Sequence, residues 1–408
     1  MLAAMEEILI TPKSQDDSVS SVNDNQTEAV ENKKAELLEQ KLLKENSQAE
    51  PEITRDQLSL SKKLLNWRTI VPLLIVVVAI AFFVQKLHID PQKTWAAMRS
   101  ANIIFLLAAF GIYYLSFPLR SVRWRILLEN VGFTKANGVE LPKFWKLTEI
   151  IFISWFANAI VPAKLGDLYR AYLLRQESGV SATRTFGTVM AERLLDLIVL
   201  LLLFIPALII SLHAHLPVVL RGGLELTLAA VVLGIVALFM MRLFPTQIAR
   251  LIPKRFRGHF YHFQEGTLGS FKRIPTLTGL TFGVWACEAL RFFFIALALN
   301  LIGGDPLHII TAAFFIALGE ALLTVVPFTG GGVGLVEAGM LAMIGLFNHG
   351  TANALNVGTA AILLDRTISL FSIVAFGFIV FMLAFGRQAA RETLQVKNID
   401  NERTTSGD

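Results

Sequence analysis

The chain has 408 residues, 54% hydrophobic and only 17% charged, against about 25% charged in an ordinary soluble domain. The apolar residues come in long runs, so the chain reads as an all-α, polytopic membrane protein, which excludes a secreted disulfide scaffold, a coiled coil and an ordinary cytosolic enzyme. The net charge of +5 is uneven: residues 1–66 hold 8 Lys/Arg against 13 Asp/Glu and the remainder carries +10, which suits loops resting on anionic lipid and gives no reason to expect nucleic acid.

Residues 1–60 are rich in Glu, Lys, Gln, Asn and Ser and read as a solvated acidic tail. The piece AELLEQKLLKEN within it has helical character but a thin apolar stripe. No secretory signal is expected, because the first apolar run starts near Ile70. Three regions follow: an acidic cytoplasmic tail over 1–66, a membrane domain over 67–386 and a short cytoplasmic tail over 387–408.

The first span is predicted from Trp67 to Gln85 and the second from Ser100 to Leu119. Arg120, Arg123 and Arg125, then Lys135, Lys143 and Lys146, come next. Basic loops stay cytoplasmic, so the second span ends inside and both termini are cytoplasmic, in the cell membrane. Only 14 uncharged residues separate Glu149 from Lys164, about 21 Å of helix, too short to cross. Leu194–Leu212 and Gly222–Met241 read as full spans, and the loop from Arg242 to Arg273 is again basic. An even number of crossings must join two cytoplasmic loops, so residues 147–176 are predicted to enter and return as a re-entrant hairpin turning near Pro162. The loop 242–273 mixes Arg, Phe and Tyr and is expected to lie on lipid headgroups. Thr276–Ile302 spans outward, His308–Pro327 and Val333–Phe347 flank a glycine loop, and Asn356–Gly386 spans back inward. Parity allows either two spans or a hairpin over 308–347.

A weak repeat favours the hairpin. Val161-Pro162 precedes Asp196 as Val326-Pro327 precedes Asp365, and Leu168, Arg170, Ala171 and Leu174 align with Leu335, Glu337, Ala338 and Leu341. The two halves then read as an inverted repeat, an architecture that places a transporter's site at the bilayer midplane. Irregular backbone at that depth is tolerated only where protein buries it or water reaches it.

Charged groups at membrane depth mark pathways or paired glue, at roughly 2.5–3.5 kcal/mol each on insertion scales. Glu288 and Arg291 share a helix face near the middle of their span and are expected to pair, as are Asp167 and Arg170. Lys164, Asp167 and Arg170 follow the Pro162 break, where freed amides and two cations suit an anionic headgroup. The bland alternative there is interfacial snorkelling. Thr329, Gly330, Gly331, Gly332, Gly334 and Glu337 form the other break, a tight turn with close backbone approach. Glu192 and Arg193 read either as site residues or as caps on the cytoplasmic end of a span, with Asp196, Asp365 and Arg366 completing the set. Glu320, mid-segment in an apolar setting, reads as a proton carrier, and Asn158 as interhelical glue. No cofactor is expected. Cys287 is the sole cysteine, and His88, His213, His215, His259, His262, His308 and His349 fall in no metal-ligand spacing.

RSVRWRILL (120–128), NAIVPAKLGDLYRAYLL (158–174), AERLLDLIVLLLL (191–203) and VPFTGGGVGLVEAG (326–339) resemble the lysylphosphatidylglycerol synthase transmembrane region family over about residues 67–386. Pro162, Gly166, Asp167, Arg170, Glu192, Arg193, Asp196, Gly332, Gly334 and Glu337 carry the resemblance. It implies a flippase-like membrane domain. In two-domain members that domain moves aminoacylated phosphatidylglycerol, which a C-terminal soluble domain makes. Only about 20 residues follow Gly386, so aminoacyl transfer is not expected, and the acidic tail is a further departure.

The expected function is movement of an anionic or headgroup-modified phospholipid or glycolipid between leaflets, without enzyme activity. An envelope-lipid synthase and a second copy of the chain are the expected partners. The hypothesis pairs Arg170 with Glu337 across the two breaks in one state of the cycle. Neither G-x-G-D, G-x-S-G nor a P-loop occurs, which disfavours an intramembrane enzyme and direct ATP drive. The rivals are a lipid-modifying enzyme, a non-transporting partner subunit and a small-solute carrier.

Overall fold

A computed structural model describes residues 90–161, 164–211, 218–325, 332–347 and 354–384. The acidic tail, the expected span Trp67–Gln85, the C-terminal tail, Pro162, Thr329, Gly330 and Gly331 lie outside the described residues. Among those described there is no strand, and six helices are long and apolar enough to cross a membrane.

Asp90 opens the described chain as an N-cap, accepting from the backbone amides of Gln92 and Lys93, and Pro91 takes the first helical position, where its missing N–H costs nothing. Those bonds, the one from Lys93 foremost, hold the exposed Asp90 carboxyl below its usual pKa. The helix α1 (Pro91–Ser100) is short. Asn102 caps α2 (Ile103–Asn130) by accepting from Ile104.

The 28 residues of α2 rise about 42 Å, well beyond a ~30 Å hydrocarbon core. The expected span ended at Leu119. The helix instead runs on, so Arg120 and Arg123 are buried inside it and do not belong to a cytoplasmic loop. The apolar stripe continues past them through Trp124, Leu127 and Leu128.

The short stretch forms α3 (Phe144–Ile160) and α4 (Leu165–Ser178). They are antiparallel. At the tip Ser154 Oγ donates to the Gly166 carbonyl, and at the open end Lys146 pairs with Glu177 at 2.9 Å. Next come α5 (Ala182–Ser211) and α6 (Val218–Leu243). Leu226, Leu228, Val232, Leu233, Val236 and Phe239 of α6 are exposed, as on a helix that faces lipid.

The basic stretch after α6 is not a loop. It holds α7 (Pro245–Leu251) and α8 (Arg257–Gly269), and α8 docks on the first half of α5. Gly187 and Gly266 let the two backbones meet: a Cβ on Gly187 would stand 2.5 Å from the Phe263 carbonyl oxygen, and one on Gly266 would overlap the Arg184 carbonyl. This small-residue crossing is the kind that membrane helices use.

Helix α9 (Ile274–Ala298) packs along α2. A second antiparallel pair follows, α10 (Pro306–Thr324) and α11 (Leu335–Phe347). His308 meets the Phe347 ring at the open end, and Gly332 lies beside Thr324 at the break. Last, α12 (Ala354–Arg366) passes into a wide π-type turn, Thr367–Phe371, and continues as helix to residue 384. Tyr113 donates to the Ser369 carbonyl at 3.0 Å, and the Tyr114 hydroxyl bonds Ser372 at 2.7 Å. The core lies between α2, α5, α9 and α10, with Trp124, Tyr113, Phe204, Phe292 and Phe315 fully buried.

Candidate functional site

The geometry gathers the buried charges into two clusters, each under one helical hairpin. In the first, Arg123 of α2 reaches α5. It donates to Glu192 at 2.6 Å and to both oxygens of Asp196 at 2.5 and 3.1 Å, and to Thr281 of α9 at 3.0 Å. Arg170 of α4 donates to the other oxygen of Glu192 at 2.9 Å and lies 3.8 Å over the Trp124 ring. A desolvated cation on a tryptophan face gains about 2 kcal/mol. Arg193 grips Asp167 with two bonds, at 2.7 and 2.8 Å.

The expected Asp167–Arg170 pair does not form. Both residues share one face of α4, but that face meets α5, where Arg193 and Glu192 stand opposite them and take one each. Glu192 and Arg193 are likewise not end caps, because α5 already begins at Ala182.

The tip of this hairpin is held by polar bonds. Asn158 donates to Asp167 at 3.0 Å and accepts from the Gly166 amide at 2.8 Å. A side chain on Gly166 would overlap the Ser154 carbonyl oxygen. Lys164 has φ of 53°, a left-handed conformation that is strained for a non-glycine residue and tends to occur at functional sites. Its side chain is exposed and makes no ion pair among the described residues.

The second cluster repeats the plan with the signs redistributed. Arg291 of α9 donates to Asp365 of α12, to Glu320 of α10 at 3.0 Å, and stands 3.4 Å from Glu288. The expected Glu288–Arg291 pair is therefore present. Arg120 of α2 holds Glu288 at 2.7 Å and stacks over Trp155. Arg366 lies 3.6 Å from Glu320 and 2.7 Å from Glu337. Glu320 is thus not an isolated acid in an apolar setting. Gly332 and Gly334 have φ of 73° and 97°, which glycine alone adopts without strain, and the Gly334 amide donates to the Glu337 carboxylate.

The expected Arg170–Glu337 contact is replaced here by a local partner for each residue. Arg170 takes Glu192 and Glu337 takes Arg366. The equivalent contacts between hairpin and following helix thus have reversed polarity.

Arg120 and Arg123, one turn apart on α2, enter different clusters. Along α9, Thr281 and Arg291 are ten residues apart, so the clusters stand about 15 Å apart on that axis. The first balances Arg123, Arg170 and Arg193 against Asp167, Glu192 and Asp196. The second sets Arg120, Arg291 and Arg366 against Glu288, Glu320, Glu337 and Asp365. Beside them, an apolar cavity of about 250 Å³ is lined by Leu203, Phe282, Trp285, Ala286, Phe314 and Leu318.

Arg120 and Arg123 were not among the expected site residues. The signal was their spacing: they fall on the same helical stripe as Phe117, Trp124 and Leu127, and Arg125 falls off it.

A model of the family described as the lysylphosphatidylglycerol synthase TM region matches residues 69–377. The chain is similar to a UPF0104 membrane protein of Methanocaldococcus jannaschii, at 34% identity over 56% of this chain and 94% of that one. It is also similar to a UPF0104 membrane protein of Pyrococcus horikoshii, at 25% identity over 68% of this chain and 86% of the relative. A third relative is the glycosyltransferase AglD of Haloferax volcanii, at 26% identity over 69% of this chain, where the match spans 49% of AglD.

Proposed function

The chain belongs to the lysylphosphatidylglycerol synthase transmembrane region family, and on that premise we propose that this multi-pass membrane protein moves an anionic or headgroup-modified phospholipid or glycolipid between leaflets. The observation that carries the reading is the pair of antiparallel hairpins, each packed at its broken end on a buried ionic cluster. The arms α3 and α4 have 17 and 14 residues, about 25 and 21 Å of helix, short of a ~30 Å core. Such arms enter a bilayer and return. Their ends then stand at a depth where only protein or a wet cavity satisfies the backbone.

At the first tip the cargo's phosphate meets Lys164, while Arg170 and Arg193 stay tied to their carboxylate partners. Guanidinium and ammonium groups both bind phosphate. The apolar cavity between α5, α9 and α10 accepts part of an acyl chain. Oppositely signed contacts in the two halves give the hairpins separate latches, one per leaflet-facing state. The likeness to part of a protein named as a glycosyltransferase favours a glycosylated lipid within the cargo class. No bond-making step is assigned to the chain.

The test is reconstitution into liposomes carrying fluorescent lipids, with a membrane-impermeant quencher reporting the outer leaflet. Labelled phosphatidylglycerol is expected to cross faster than labelled phosphatidylcholine, and Lys164→Gln to narrow the difference. Crossing no faster than in protein-free liposomes, for anionic lipids and glycolipids alike, would refute the proposal.

A further inference from the structure

The two clusters are not electrically equivalent. The first has three guanidiniums for three carboxylates. Among the described residues the second has three guanidiniums for four carboxylates, and Asp365, Glu320 and Arg291 within it are buried. An unbalanced charge away from water costs several kcal/mol. A proton removes that cost where no further cation is at hand.

The geometry also says which carboxylate takes the proton. Glu288 has Arg120 at 2.7 Å as well as Arg291. Glu337 has Arg366 at 2.7 Å and the Gly334 amide. Asp365 accepts from Arg291, and the Ser369 hydroxyl lies 3.4 Å away. Glu320 is left with one bond from Arg291, which it shares with two other acids, and with Arg366 at 3.6 Å. Its nearest guanidinium, at 3.0 Å, stands farther off than the nearest one of each of the other three acids.

We propose that the second cluster binds one proton, on Glu320, as the co-substrate of the cycle. The step is simple acid–base exchange: water on one side delivers the proton to a Glu320 oxygen, and the carboxyl returns it to water on the other. Glu320 belongs to the hairpin arm α10, whereas its cations Arg291 and Arg366 belong to α9 and α12. Protonation therefore weakens the tie between the second hairpin and both flanking helices. The other charged or titratable groups of this environment are Glu288 of α9, Asp365 of α12, Glu337 of α11, and Arg120 and Tyr113 of α2. Two more helices pack on α10 through apolar contacts instead: α5 through Phe204 against Phe315, and α6 through Gly223 against Leu323.

This deepens the lipid-translocation reading and depends on it only for the cargo. The test separates the two. Infrared difference spectra of the full-length protein in lipid nanodiscs, titrated through the neutral range, report a protonated carboxyl without any transport. One such band is expected in the wild type, downshifted in heavy water, absent in Glu320→Gln and retained in Glu192→Gln. In liposomes, an imposed pH gradient should speed lipid crossing several-fold in the wild type and leave Glu320→Gln unaffected. No titrating carboxyl band in the wild type, a measurement that requires no variant to fold, overturns the proposal. So does a band that survives Glu320→Gln, or acceleration by a sodium gradient in place of a proton gradient. A band without lipid crossing sustains the proton site and removes the cargo reading. Crossing without the band does the reverse.

Discussion

Arg123→Gln is the sharpest probe of the buried clusters. Arg123 is fully buried and holds two carboxylates, Glu192 at 2.6 Å and Asp196 at 2.5 Å. Removing one partner of a buried pair leaves an uncompensated charge and costs about 3–5 kcal/mol. Glu192 retains Arg170, so the loss falls mainly on Asp196. At roughly 2 °C per kcal/mol for a chain of this size, the apparent unfolding midpoint should drop by about 6–10 °C. The sequence supplies the reporter. Cys287 is the only thiol in the chain, is buried, and lies on α9, the helix that packs along α2. A dye that fluoresces on thiol capture therefore reads the opening of that interface. Arg123→Gln combined with Asp196→Asn should recover a good part of the loss, because both charges are then gone, with a coupling of about 1–3 kcal/mol. A single variant within about 1 °C of wild type, or a double variant as poor as the sum of the singles, would refute the reasoning.

Other variants probe the hairpins and their supports. Arg170→Glu should abolish lipid crossing, and adding Glu337→Arg should not restore it, because Arg170 and Glu337 hold separate partners, Glu192 and Arg366. Restoration in the liposome assay would show that the two tips meet directly. Gly166→Ala forces a methyl into the Ser154 carbonyl and should cost roughly 1–3 kcal/mol, seen as faster amide exchange confined to α4. Gly266→Ala should lift α8 from α5, raising exchange across 257–269 while the exchange of α9 is unchanged.

Helix existence was easy to read from the sequence, and partner choice was not. The spans expected at Gly222–Met241 and Thr276–Ile302 match α6 and α9 to within a few residues, because long uninterrupted apolar runs leave one solution in a bilayer. The stretch too short to cross pointed to a break, and α3 and α4 pack there as an antiparallel pair of short helices. Arg120 and Arg123 were assigned to a loop because a cluster of arginines normally marks a cytoplasmic edge. Only a tertiary fact overrides that rule: Glu192, Asp196 and Glu288 come from 69 to 168 residues away to meet them. The Asp167–Arg170 expectation failed for the same reason. Spacing within a helix says which residues share a face, and it is the neighbouring helix that decides whether they bond to each other. The basic stretch after α6 hid α8 because its docking rests on two glycines, Gly187 and Gly266, which contribute no hydrophobic signal.

The wide turn at Thr367–Phe371 sets the phase of the last helix. A π-type turn holds one residue more than an α-turn, which advances everything after it by about 100° of azimuth. Upstream, that helix aims Asp365 and Arg366 at ionic partners; downstream, Gly377 accepts the Phe156 ring of α3 so closely that a Cβ there would lie 2.5 Å from its neighbour. An unbroken α-helix has one orientation and would serve only one of these faces. The inserted residue lets a single rod be keyed to both hairpins at once, and the hydroxyl of Tyr113 occupies the carbonyl of Ser369 within the wound-out turn.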